Sequence, residues 1–348
     1  MTKKEEWIDN LKGLGIILIV FGHSSFPGDS VMIKYLFTFH VPLFFFLSGF
    51  LFTRKENMST FEYLRLRFKR LIIPYVCFNI IAYATYLIIS RKMHFNLSGL
   101  EIFAKNLIIG NYTGTGSQDS NLVNISTWFL PCLFFTGLYY YLIDKYVKNE
   151  NIKLLIICIL SALIYLESKY LHYRLPLGID IAFMGLFFYG LGNIFKSEIT
   201  NLVSKINLRY LFLIPILIAT NILLLNNETN MSTHDYDNYY KFVLGSASGI
   251  LTLLIVSKVI GKSFLGFWGT NSIIVLCMEW IKGLSYSFII LLSFHTLTKE
   301  HGYLSGTIQF LICMIFLIPV IYVINRYFSF LIGSEKKNEA KHYVTLHN

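Results

Sequence analysis

The chain has 348 residues, 55% of them hydrophobic and 17% aromatic, and only 14% are charged, against about 25% charged in soluble domains. That composition excludes a secreted soluble enzyme, a disordered scaffold and a nucleic-acid-binding module, and it marks an integral membrane protein. The formal net charge of +10 sits in the segments between apolar runs, where it sets orientation rather than attracting DNA.

Apolar runs of membrane-spanning length predict an all-α, polytopic membrane protein of about ten transmembrane helices: 8–26, 33–53, 70–90, 126–147, 152–171, 178–196, 208–226, 239–260, 270–294 and 304–332. They form one membrane-embedded domain, 1–334, followed by a tail, 335–348. The run after Lys12 lacks a convincing cleavage site, so it is expected to stay as the first span. One alternate set of loops carries fourteen Lys and Arg and the opposite set eight, which puts the first set and both termini in the cytoplasm. The five cysteines, Cys77, Cys132, Cys158, Cys277 and Cys313, all lie in apolar runs without paired or metal-like spacing, so neither a disulfide nor a metal site is expected.

Ionisable groups inside spans are costly, and each is a site candidate by default. The first span carries Asp9, Lys12 and His23. Lys12 and His23 are eleven residues apart, three helical turns, and so share a face about 16 Å apart. The lysine falls near the cytoplasmic interface and the histidine deep in the outer half; Asp9 is spaced to pair with Lys12. A histidine at that depth suits proton transfer, or else it is a neutral residue joining two helices. The second span begins Phe39-His40-Val41-Pro42 and continues to Ser48-Gly49, with His40 on the side of His23 and Ser48-Gly49 suited to close helix contact.

The cytoplasmic segment after it places Arg65, Arg67, Lys69 and Arg70 before Pro74. Such cations contact anionic lipid, or, with Arg67 and Arg70 at i, i+3, grip phosphate oxygens. On the outer side, 91–125 holds a short apolar patch, Leu100 to Ile109, and a polar stretch from Asn111; 226–238 is polar and acidic. Both are candidates for a carbohydrate site, though surface linkers have the same composition. Trp128 opens the fourth span at the outer interface, Asp180 lies early in the sixth, and Asn271-Ser272 start the ninth, where Glu279 and Lys282 are spaced to pair.

Together these pieces resemble the acyltransferase 3 family of integral-membrane acyltransferases, and particularly its fucose 4-O-acetylase-like branch of polysaccharide O-acetyltransferases. The likeness rests on Asp9-x-x-Lys12-Gly13 with Gly22-His23, on Phe39-His40-x-Pro42 through Ser48-Gly49, on Arg67-x-x-Arg70 with Pro74, on Trp128-Phe-Leu, and on Gly269-x-Asn271-Ser272. It spans nearly the whole chain.

The resemblance implies an enzyme that takes an acetyl or other acyl group from acyl-CoA, bound as donor substrate and not as a permanent cofactor, and delivers it to a sugar hydroxyl of a cell-envelope or capsular polysaccharide. Lys12, Arg67 and Arg70 are then the donor-binding residues. His23 is the general base, or the carrier of an acyl-imidazole, with Asp9 and Glu279 supporting it. His40, Trp128, Asp180 and Asn271 are the candidates for binding the acceptor, a carbohydrate or lipid-linked glycan. The implied setting is the plasma (inner) membrane of a bacterium.

Lys12 stands where many relatives have Arg, and two departures from the family are expected to matter: Glu279 stands where many have His, which puts a proton role at that position in question, and no appended extracytoplasmic domain is expected. The competing function is a transporter or exporter of a lipid-linked or polymeric glycan, with the buried polar residues as its pathway; the absence of an evident internal repeat weighs against an inverted-repeat transporter.

Overall fold

The computed structural model describes residues 6–27, 30–54, 58–89, 97–110, 124–171, 174–226, 229–261, 264–281 and 302–333. These are mostly helical: α1 Glu6–Gly22, α2 Val31–Phe50, α3 Thr60–Arg67, α4 Ile73–Ile89, α5 Leu97–Ile109, α6 Phe129–Tyr146, α7 Glu150–Tyr170, α8 Ile181–Ile194, α9 Lys196–Lys205, α10 Leu213–Leu223, α11 Tyr239–Val259, α12 Leu265–Thr270, α13 Ser272–Met278 and α14 Gly302–Tyr327. Among the described residues no strand forms; one isolated antiparallel bridge joins Asn230 and Asp235.

Seven helices among the described residues are long and apolar enough to cross a membrane, or eight if α9 and α10, bent by 101°, make one span. Three of the ten expected spans differ in form; the seventh, expected at 208–226, is the 11-residue α10 behind a 3-10 turn at Leu208–Phe212. The first is a 17-residue helix that stops at Gly22, about 26 Å long. The ninth breaks at Asn271 and tightens into a 3-10 turn at Glu279–Ile281; Lys282 and the rest of that expected span lie outside the described residues. The apolar patch at Leu100 to Ile109 belongs to α5, which stacks Phe103 on Tyr83 of α4, centroids 4.5 Å apart, and whose Leu107 carbonyl accepts from Tyr75 Oη at 2.7 Å. The polar stretch from Asn111 lies outside the described residues.

On α7 the large apolar side chains of Ile152, Leu155, Ile159, Leu163, Leu166 and Tyr170 are exposed at steps of three and four. That continuous stripe is a lipid-facing surface. Lipid tails are as apolar as leucine, so close packing and internal hydrogen bonds hold such helices together.

Two glycine crossings show the packing. A Cβ on Gly13 would lie 2.1 Å from the Leu265 carbonyl oxygen, and one on Gly269 would lie 1.8 Å from that of Asp9, so α1 and α12 touch backbone to backbone. Gly49 and Gly192 do the same for α2 and α8, with a Cβ at 1.8 Å from Tyr189 O and 2.1 Å from Phe46 O respectively. The expected close contact at Ser48-Gly49 is therefore made, and α8 is its partner.

Two of the prolines inside helices are compensated. Pro42 has no N–H for the carbonyl of Thr38 one turn back; Ser246 Oγ of α11 reaches that carbonyl at 2.7 Å. Pro74 likewise cannot serve the carbonyl of Arg70, and the helix widens there into a π turn, Phe68–Ile72, where the Ile73 N–H bonds Phe68 O. Arg67 and Arg70 therefore sit at the mouth of that widened turn.

Candidate active site

Among the described residues a cavity of about 810 Å³ lies between the helices, within the range of about 300–1,000 Å³ usual for small-ligand sites. Lys12, Ile16, Ile19 and His23 line it as one stripe of α1, at the steps of four, three and four that keep side chains on one helix face. Arg67 and Arg70 line the same cavity, as do His40, Ser126 and Trp128. The structure thus brings Lys12, Arg67, Arg70 and His23 onto the wall of one cavity.

His23 lies one residue past α1, its N–H still bonded to Ile19 O at 3.0 Å. The neighbouring Ser25 N–H donates to Gln309 Oε1 of α14 at 2.7 Å, which pins the turn. Its Nδ1 lies 2.9 and 3.1 Å from the two carboxylate oxygens of Glu279. The Glu279 side chain is 1% exposed and that of His23 24%. A carboxylate on Nδ1 holds the proton there and leaves Nε2 as the nitrogen that can take one. The 3-10 turn after α13 is what brings Glu279 onto His23; the sequence spacing suggested Lys282 as its partner instead.

His40 is buried with its Nδ1 2.6 Å from Leu36 O. A carbonyl only accepts, so this nitrogen carries a proton and His40 offers Nε2 as an acceptor. The His23 and His40 rings are 6.1 Å apart, and Phe37 meets both edge-on.

At the other end, Arg67 Nη2 donates to Leu133 O at 2.8 Å. Its guanidinium lies in a groove over Gly137, where a Cβ would come within 2.3 Å of Nη2. Tyr63 Oη donates to the Gly137 carbonyl at 2.9 Å, and its ring stacks on Tyr141. Among the described residues that line the cavity there are Lys12, Arg67 and Arg70 but no carboxylate. Such a cavity favours an anion.

Trp128 is placed by a 3-10 turn that is closed on itself and stitched to α13 and α4. Asn124 Nδ2 donates to Cys277 O at 2.7 Å, Thr127 Oγ1 to Asn124 O at 2.6 Å, and Asn79 Nδ2 of α4 to Thr127 Oγ1 at 2.9 Å.

The remaining expected residues lie off the cavity wall. Asp9 is at the α1–α12 crossing, its carbonyl against Gly269. Asn271 joins α12 to α13, donating to Phe267 O and accepting from Asn325 Nδ2 of α14, both at 2.7 Å. Asp180 is buried and pairs with Arg174 Nε at 3.1 Å; Arg174 Nη2 in turn donates to Ser232 O at 3.0 Å. Ser232, with Asn230 and Met231, does line the cavity. The acidic 226–238 segment therefore reaches the site, and Asp180 holds it there through Arg174. Spacing does not reveal Tyr63, Ser126, Tyr189 and Ser232 as wall residues; in the sequence the two tyrosines read as packing residues of an aromatic helix face.

A family model, the acyltransferase domain of acyltransferase 3, matches residues 5–326. The chain belongs to this family. It is a multi-pass membrane acyltransferase, and the matched region takes in both ends of the cavity. Comparison with curated proteins and with solved structures gives no match.

Proposed function

We propose that this acyltransferase moves an acetyl group from acetyl-CoA to a hydroxyl of a cell-envelope or capsular polysaccharide sugar, in the manner of a fucose 4-O-acetylase. The observation that carries this reading is one cavity with Lys12, Arg67 and Arg70 at one end and the His23–Glu279 pair at the other. The three cations suit the donor's phosphates, Lys12 as a point charge and the arginines as forks. The chain's charge bias orients that end to the cytoplasm of a bacterial inner membrane, where acyl-CoA is made.

The thioester then extends along the α1 stripe toward His23. His23 Nε2 takes the proton of the sugar hydroxyl as its oxygen attacks the thioester carbonyl carbon, the carbon–sulfur bond breaks, and the imidazolium returns that proton to the leaving thiolate. Glu279 holds the imidazole in the required tautomer and stabilises its charged form. An acyl-imidazole on Nε2 is the two-step variant of the same chemistry. His40 Nε2, Trp128 and the 230–232 segment are suited to the acceptor, since each offers a polar atom or an aromatic face at the far end.

The experiment is mass spectrometry of the host's surface polysaccharide with the gene intact, deleted, and restored as wild type or His23→Ala. Loss of an alkali-labile acetyl increment that only wild type restores is the expected result. Polymer that accumulates inside the cell with unchanged acetylation overturns it and makes the protein a glycan exporter.

A further inference from the structure

Past His23 the cavity wall is a triangle of three rings. On α2 the wall is the stripe Phe37, His40, Phe44, Leu47 and Leu51, spaced three and four apart as one helix face requires. Through Leu51 this stripe leads to α3, which bears Arg67, so Phe37 stands at the end away from the arginines, one turn beyond His40. The ring centroids of His23 and His40 are 6.1 Å apart, those of His23 and Phe37 5.8 Å, and those of Phe37 and His40 4.8 Å. All three separations lie in the range at which ring pairs touch. An alkyl chain stands about 3.5–4 Å from the atoms on either side of it, so it needs about 7 Å or more to pass between two rings. No pair in the triangle leaves that room. The α1 backbone meets the same ring, since a Cβ on Gly22 would stand 3.4 Å from Phe37 Cε2.

The length of an acyl-CoA carries its acyl group to this triangle. Between the inner phosphorus and the sulfur its arm is about thirteen bonds long and spans about 15 Å when extended. Lys12 and His23 are eleven residues apart, about 16 Å along the helix, and Ile16, Ile19 and Gly22 are what α1 puts on the wall between them. A donor whose inner phosphate is held at the level of Lys12 therefore presents its thioester at His23, and whatever follows the carbonyl carbon points on toward Phe37. A methyl group ends short of the ring, while each further methylene adds about 1.2 Å of reach and drives the chain into it. A chain that turned aside toward Trp128 and Ser232 would take the room of the acceptor.

We infer that Phe37 is the specificity-determining residue for the acyl group: its ring, braced on His23, His40 and Gly22, ends the acyl pocket after two carbons. The inference rests on the acyl-CoA reading given above and deepens it by naming the side chain that selects acyl length. The transfer step itself is unchanged.

The test is acyl transfer by the full chain in lipid nanodiscs, read as thiol released from acetyl-CoA, butyryl-CoA and hexanoyl-CoA, with the host's alkali-deacylated surface polysaccharide as acceptor. Wild type is expected to use butyryl-CoA at least about 100-fold less well than acetyl-CoA in kcat/KM, as for two surplus methylenes in a closed pocket. Phe37→Ala is expected to raise kcat/KM for butyryl-CoA about tenfold or more and to move the butyryl-to-acetyl ratio toward one. Phe37→Leu, which keeps an apolar but shorter side chain, is expected to shift the ratio in the same direction, and it decides the question if Phe37→Ala does not fold. Wild type that uses hexanoyl-CoA as readily as acetyl-CoA overturns the inference. An unchanged butyryl-to-acetyl ratio in the folded variant also overturns it, and leaves the ring the role of packing against the two histidines. Wild type that releases no thiol from any of the three donors overturns the acyl-CoA reading itself, a result distinct from either of these.

Discussion

The pairing of His23 with the buried Glu279 turns a partly exposed histidine into a directed base. With both carboxylate oxygens near Nδ1, replacing Glu279 by Gln retains an acceptor for the ring N–H but removes the charge that stabilises the imidazolium. Glu279→Gln is expected to lower kcat by about 100-fold or more with donor binding unchanged, read by steady-state acyl transfer beside a CoA binding isotherm. Loss of CoA affinity in parallel with kcat would show that Glu279 shapes the cavity instead. His23→Ala is expected to reduce turnover by at least about 100-fold, measured by release of free thiol from acyl-CoA in the presence of polysaccharide acceptor. His23 and its depth were legible in the sequence because a histidine in an apolar run stands out. Its partner was not, since Glu279 lies 256 residues away and only a turn at the end of a short helix brings it near.

At the scale of the elements, this protein is held by backbone contact at small residues and by side chains that serve carbonyls freed by proline. Gly269→Ala would place a methyl group 1.8 Å from the Asp9 carbonyl, which forces α12 off α1. A drop in the thermal unfolding midpoint is expected, with a cost of about 1–3 kcal/mol or more; an unchanged midpoint would show that the two helices can separate freely. Since α12 leads directly into α13 and Glu279, the same substitution is expected to lower kcat as well.

Ser246→Ala tests the proline compensation in α2. It removes the Oγ that lies 2.7 Å from Thr38 O and is expected to destabilise by about 0.5–1.5 kcal/mol, seen as a smaller midpoint shift than that of Gly269→Ala. Gly49, Pro42 and Pro74 could be singled out from sequence alone, because glycine and proline have local consequences wherever they occur. Which helix closes on each glycine, and that a serine of α11 answers Pro42, depends on neighbours far along the chain.

For the whole molecule, the charge bias predicts an orientation that the helix packing does not specify. Single cysteines introduced in a background lacking the five native ones report it by labelling in intact cells. Positions near Lys148 and Lys205 are expected to be protected from an impermeant reagent, and positions near Lys105 and Asp235 to be labelled. The reverse pattern would put the arginines outside, away from acyl-CoA, and would end the donor assignment.

The composition and hydropathy of the sequence by themselves determined that this is an all-helical membrane protein, because apolar runs of bilayer length can satisfy their backbone groups only as helices. The helical period likewise put Lys12 and His23 on one face, since that relation lies within a single element. Whether those faces enclose a shared space is a relation between elements distant in the chain, and only the tertiary structure decided it. The cavity joining Arg67 to His23, the carboxylate behind the histidine, the closing of Phe37 on His23 and the reach of Asp180 to Ser232 through Arg174 all arise where helices cross, and a crossing leaves no local period for a sequence to display.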